Sequence, residues 1–528
     1  MVRGTGALPY VGAIVLGICA AGVQGADWPQ WGGRNCRNMV SAEKGLPATF
    51  ALGRGEAHVD DVLWTVKLGP LTYGHPAIAG GRVFLGTGDR CWGDPRAKRS
   101  RGGLLLCIDE KTGKMLWRLL VRRYKPKVHG SGFDDLNIGI CSCPTVEGDR
   151  AYVVTNRAEV LCLDVRGQAN GNDGPFQDEG RYMAGTGNGP IKLRRGDADI
   201  VWRFDMIGTL PSAPHDATNC NVLVHGELLY VCTSNGVHRM PDKPNPLPEA
   251  PSLIVLHKRS GRLVAADGEK IGRRLFHGQW SSPSLARAGK RELILFGAGD
   301  GVLYAFEPAP LRPGTTQPAV LKKVWQYDCN PQDYKFGDNG WAIDYWDGDA
   351  SRTEVPPGWL GPSEIIGTPV AHRNRVYVAV GRDPHHGAAP GILHCIDATG
   401  AGDITRTGCV WSYRKISRTM ATVSVADGLL YIPDIAGAVH CLDADTGRVQ
   451  WVHQTAQPIW SSTLVADGKV YVTTEKRTLW VFQAGRQKRV LATVKLPYKT
   501  SASPVAANGV LYIASHRRFY AVRGRKRP

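Results

Sequence analysis

Along this chain, apolar positions come in short runs separated by polar breaks that contain Gly, Asp or Asn. Residues 74–87 read "GHPAIAGGRVFLGT" and residues 104–117 read "LLLCIDEKTGKMLW". Runs this short, rich in Val, Ile and Leu and bounded by turn residues, predict strands and not helices. The same order then recurs. Small residues, often ending in Pro, lead through a strand and a Gly-containing turn to a second apolar strand. A third strand, a further turn and a strand holding Trp follow. Eight copies are legible, starting at "GHPAIA", "CSCPTV", "ATNCNV", "SSPSLA", "GTPVAH", "ATVSVA", "SSTLVA" and "SASPVA".

The eighth copy lacks its fourth strand, while "DVLWTVKL" (61–68) is a Trp strand with no copy in front of it. A ring resolves both. Each unit is too thin to bury two faces alone, and closing the array leaves only short edges. The expected fold is all-β: an eight-bladed β-propeller of four-stranded antiparallel blades, the last closed by the N-terminal strand. Seven blades is the second choice. A linear solenoid or several small β domains would leave the spare strand unexplained. The expected division is a signal peptide (1–25), an N-terminal extension (26–60) and one propeller domain (61–528).

The first segment has its own pattern. Arg3 precedes an apolar run from Val11 to Ala21 followed by small residues, the layout of a secretory signal peptide cut near Gly25 or Ala26. This run is short for a bilayer span, and no later segment is apolar enough to cross a membrane. The expectation is export, to the periplasm or the extracellular space, with lipid attachment at Cys19 as a variant. The formal charge of +18 is spread along the chain in small clusters such as "RAKRSR" (96–101). No nucleic-acid motif accompanies it, so no nucleic-acid partner is expected. Of 13 Cys, Cys107, Cys162, Cys395 and Cys441 fall at one position of the repeat, which suits small buried hydrophobes better than bridge partners.

The phrase "CIDEKTGKMLW" (107–117) returns as "CLDADTGRVQW" (441–451). Gly113, Gly400 and Gly447 are expected at φ > 0 in a tight reversal. Asp109 and Asp443 are expected to accept bonds from turn amides, and the Trp to pack between blades. Asp-x-x-Thr-Gly-(Lys/Arg)-x-x-Trp resembles the PQQ (pyrroloquinoline quinone) repeat of quinoprotein dehydrogenases. The same repeat occurs in the non-enzymatic outer-membrane assembly factor of the BamB type. With the opening "DWPQWGG" (27–33), the chain resembles exported bacterial PQQ-repeat propellers over nearly its whole length. The resemblance implies the fold. In the dehydrogenases it implies PQQ between a Trp and two adjacent disulfide-bonded Cys, with Ca²⁺ held by Glu, Asn and Asp, and an Asp base. This sequence has no Cys-Cys pair; Cys141-Ser142-Cys143 is the nearest arrangement.

With the strands of a blade lettered A to D from the axis outwards, A–B turns are short, while long connections collect at the other end. They are the B–C loops 88–102, 234–251 and 381–391 and the D–A connections 119–140, 203–218 and 328–364. C–D insertions at 166–199 and 307–322 are the exceptions. Loops crowded on one rim are where binding is expected. Trp280 and Trp460 precede inner strands and are placed to face the funnel; Trp341, Asp344, Glu364 and His385 are rim candidates. No metal ligand is assigned. The function expected is a ligand- or partner-binding scaffold, a monomer whose ligand is a protein, a small molecule or a polysaccharide. The alternative is a PQQ- and Ca²⁺-dependent alcohol or sugar dehydrogenase.

Overall fold

The computed structural model describes residues 1, 26–53, 60–91, 94–96, 100–123, 132–240, 243–311, 314, 317–348, 360–386 and 390–524. Residues 2–25, which hold nearly all of the expected signal peptide and Cys19, lie outside the described residues. Eight antiparallel sheets form the ring. Blade 1 consists of Ala77–Ala79, Arg82–Gly88, Gly103–Asp109 and Met115–Val121. Blades 2 to 7 follow within 145–205, 223–266, 284–328, 370–417, 424–454 and 464–495. Blade 8 has Val505–Ala507, Val510–Ala514 and Arg518–Arg523, and Val62–Lys67 pairs with the last of these. The count of eight and the closure by the N-terminal strand are both as the repeat pattern requires. No helix among the described residues is long and apolar enough to cross a membrane.

The repeated phrase is a corner plus a seam. Cys and Trp are cross-strand neighbours, ten residues apart in Cys107–Trp117 and Cys441–Trp451 and across longer connections in Cys162–Trp202 and Cys395–Trp411. All four thiols are buried and unbridged. Asp109 accepts from the Thr112 amide and hydroxyl, at 2.9 and 2.7 Å, and Asp443 repeats this with Thr446. Gly113 and Gly447 both have φ of +70°. A Cβ on either would lie 2.6 Å from the Trp ring of the preceding blade, Trp64 or Trp411, so only Gly permits both the turn and the packing. The third turn departs from expectation. Gly400 is not at positive φ; Gly402 is, at +74°. There the C–D connection runs on as Gly402–Asp403, which pairs with the outer strand of blade 4.

Each indole also donates across a seam. Trp64 bonds Glu110 O, Trp117 Val165 O, Trp202 Lys258 O, Trp325 Ala398 O, Trp411 Ala444 O and Trp451 Gly485 O, at 2.8–3.1 Å. Six of the eight seams are joined this way. Blade 3 has no Trp on its outer strand. There the C–D insertion of blade 4 contributes Ala319–Val320 as a parallel fifth strand. The insertion 166–199 likewise reaches back to blade 1 through the Arg118–Asp197 bridge.

Within the expected extension, residues 28–41 are part of the ring's interior. Inner strands expose an unpaired edge to the axis, a liability if left bare. Residues 28–41 satisfy it blade by blade, at the middle residue of the seven three-residue inner strands and, in blade 4, at Leu285, the second residue of Ser284–Ala288. Trp28 exchanges bonds with Ile78, Pro29 O accepts from Val146 and Asn35 serves Val224 and Leu285. Cys36 O accepts from Ala371, and Asn38 makes a two-way bond with Val425. Met39 and Ser41 engage Val465, and the Ser41 hydroxyl donates to Ala506 O. Arg37, wholly buried, donates to the carbonyls of Trp31, Asn221, Val222 and Pro283 and to the Gln30 side chain. The segment lies on the A–B-turn side: Asp27 accepts from Gly80 N, and Asp467 from Leu46 N.

Candidate functional site

At the other end the axis opens as a funnel. Trp31 and His75 line it, with Trp280 and Trp460 on the wall beside Tyr73, Asn219 and Met420. Its volume is ≈ 120 Å³, close to that of an interior cavity that holds one benzene ring. The small residues beginning the inner strands do more than avoid a clash. Their side chains accept from the neighbouring blade's backbone: Cys143 N bonds Asn221 Oδ1, Asn221 N bonds Ser282 Oγ, Thr368 N bonds Thr422 Oγ1, Thr422 N bonds Ser462 Oγ and Ser462 N bonds Ser503 Oγ, at 2.6–3.2 Å. This belt leaves a wall of hydroxyls, amides and aromatic faces. The described lining has no Asp, Glu, Arg or Lys. Burial pushes His75 down to about 3, so it too is neutral at physiological pH.

The two tryptophans singled out by sequence therefore share one pocket. The Trp280 indole is fixed by Ala217 O at 3.2 Å. Trp460 packs between Tyr73 and His385, with centroids at 5.9 and 5.7 Å, which brings His385 to the same mouth.

Beside Trp280 stands a buried polar group formed by the D–A connections of blades 2 to 4 and the 381–391 loop. His215 holds Val237 O through Nδ1 at 2.7 Å, and its Nε2 is 3.8 Å from Asp216. Its ring is 4.4 Å from that of His277, which is 4.5 Å from His386 and 5.2 Å from Trp280. His215, Asp216 and His277 each offer a ligand atom within 4.8 Å of the others, and a ring anchored through one nitrogen is the usual posture of a metal-binding His. Burial lowers His215 and raises Asp216.

Glu364 is wholly buried on the far side of His277, 3.9 Å from Nδ1. One oxygen accepts from Tyr345 Oη and Asp383 N, both at 3.1 Å. The other has no hydrogen-bond partner among the described residues. Burial, helped by the Asp383 charge, pushes Glu364 up to about 7, so it exchanges a proton near neutrality. Arg382 lies 3.8 Å over the Tyr345 ring and donates to Tyr345 O and His386 O.

The remaining rim candidates separate from this group. Trp341 is 77% exposed. Asp344 is exposed and accepts from Trp346 N within its own turn. Within 328–364, Asp328 pairs with Lys335 and Asp333 with Arg414, so Glu364 is the carboxylate of that segment that joins the buried cluster; Asp349 lies outside the described residues. Sequence reasoning missed His277, although it stands three residues before Trp280 in "HGQW". It also missed Arg37.

Residues 56–309 and 322–526 match the family described as outer membrane protein assembly factor BamB, so the chain belongs to this PQQ-repeat propeller family. Among solved structures it is similar to BamB from Moraxella catarrhalis, at 12% identity and a TM-score of 0.51, covering 88% of this chain and 98% of that one. It is also similar to a europium-containing methanol dehydrogenase, at 12% identity and a TM-score of 0.54, covering 93% and 90%. At such identities the likeness is one of fold. No curated protein matches in sequence.

Proposed function

We propose that the protein is an exported binding propeller whose loop-rich face captures a neutral ligand by one ring, inserted between Trp280 and Trp460. The observation that carries this reading is the uncharged, ring-sized pocket with two indoles and a belt of hydroxyls. Aromatic faces with neutral donors and acceptors suit a sugar ring or the end of a polysaccharide. Export is supported by the layout of residues 1–25 and by membership of a family described from an outer-membrane assembly factor.

The described funnel lining does not fit PQQ with Ca²⁺. The cofactor is a tricyclic polycarboxylate, whereas the pocket has the space of one ring and a lining with no cation for those carboxylates and no anionic oxygen for the metal. Cys141 and Cys143, with Ser142 between them, are both unbridged.

Calorimetric titration with neutral oligosaccharides checks the reading. Binding is expected, and Trp280→Ala with Trp460→Ala is expected to weaken it at least about tenfold, the loss of roughly 1.4 kcal/mol. Absence of binding, or binding indifferent to both substitutions, would overturn it. Dye-linked oxidation of alcohols or sugars with PQQ and Ca²⁺ is expected to be absent; turnover that Glu364→Gln abolishes would restore the dehydrogenase reading.

A further inference from the structure

The C–D insertion of blade 2, far from the funnel, gathers four carboxylates. Asp164 ends the third strand, Glu159–Asp164. Asp173 and Glu179 come from the insertion, and Asp199 stands just before the outer strand, Ile200–Asp205. Asp164, Asp173 and Asp199 each place an oxygen within 4.8 Å of the others. Two oxygens on one Ca²⁺ at 2.3–2.6 Å are at most about 5 Å apart, so a single ion can reach all three.

An acidic cluster alone would be ordinary. Two features make this one unusual. Asp199 is fully buried; its Oδ2 accepts from Asp173 N at 3.0 Å, yet its Oδ1 has no partner among the described residues. Asn172 donates through Nδ2 to Glu179 Oε2 at 3.0 Å, and its own Oδ1 is buried without a partner among the described residues. Two unsatisfied buried oxygens on neighbouring side chains lack a donor, the role a hard cation fills.

The charges do not balance either. Arg150 and Arg166 both engage Asp164, at 2.9 and 3.3 Å. Asn170 Nδ2 lies 2.8 Å from Asp173 and 3.4 Å from Asp164, a neutral donor between two acids. Glu179, wholly buried, bonds Ile200 N and Asn172. Four carboxylates face two guanidiniums, a deficit of two positive charges. A buried carboxylate without a counter-charge is costly.

We propose that Asp164, Asp173 and Asp199, with the Asn172 side-chain carbonyl, form a Ca²⁺ site that fastens the blade 2 insertion to its sheet. Oxygen-only ligands in an all-protein cage favour Ca²⁺ over Mg²⁺, which retains its waters. The site sits beside the insertion's other anchor, where Arg96 bridges Asp94 and Asp197 at 2.7 Å each.

The test uses the full chain freed of metal with EDTA. Adding Ca²⁺ is expected to raise the melting temperature by on the order of 5 °C, with Mg²⁺ at the same concentration giving less. Asp199→Asn is expected to raise the melting temperature in EDTA and to weaken the Ca²⁺ response at least about tenfold. Asp173→Asn, at a less buried position, tests the same loss should Asp199→Asn not fold. Glu364→Gln, in the buried cluster beside His277, is expected to leave the Ca²⁺ response intact. A wild-type melt indifferent to Ca²⁺, an equal response to Mg²⁺, or a full response in Asp173→Asn would overturn the assignment.

Discussion

The two ends of the propeller axis are built from the same eight inner strands and are finished in opposite ways. On the A–B-turn side, residues 28–41 give every inner strand a backbone or side-chain partner, and Arg37 spends its guanidinium on four carbonyls and an amide. On the loop side, the strands' own hydroxyls accept from the backbone of the preceding blade, and Trp280 and Trp460 line the pocket at the axis. One end is saturated; the other keeps surface in reserve. Substitutions at the first should therefore cost stability, and at the second they should change what binds.

The largest effect should come from deleting residues 26–46, which strips partners from all eight inner edges at once. No cooperative melt is expected by circular dichroism, and a wild-type melt would break the comparison. Arg37→Met is expected to cost about 3 kcal/mol or more in urea unfolding, because several buried carbonyls lose their donor together.

At the funnel end the expected change depends on pH. Burial pushes Glu364 up to about 7 when folded, above the usual glutamic acid value of 4.5. Between these values the folded state holds a proton that the unfolded chain has released. The group therefore makes stability fall as pH rises from about 4.5 to about 7, by up to ~1.4 kcal/mol per pH unit, with no further change above that window. Glu364→Gln should flatten this slope and leave the protein more stable at pH 8. The smallest effect is expected for Trp341→Ala, under about 0.5 kcal/mol with ligand binding unchanged, since the ring is largely in water. A large loss of binding there would move the site outwards from the funnel.

What was legible from sequence was what recurs. Thr-Gly turns, paired Cys and Trp and the spare strand at 61–68 all repeat one geometry, so eight weak signals reinforce one another. Gly400 shows the limit: the same dipeptide sits where the connection runs on, and the left-handed position moves two residues along. Trp280 and Trp460 stood out because they interrupt the run of small residues before an inner strand. The axial segment 28–41 could not be read in this way. Its bonds join residues hundreds of positions apart, such as Ser41 with Ala506 and Asn38 with Val425, and no periodicity marks them. His277 and Arg37 were likewise ordinary polar residues until burial and partners gave them roles.

The segment that crosses the axis has a directional consequence. With Trp31 below the pocket and Arg37 locked between blades, the ring is a cup and not a conduit. Whatever enters between the two indoles must leave by the mouth it came in through. The underside is then free to meet a different surface without the two encounters competing for space.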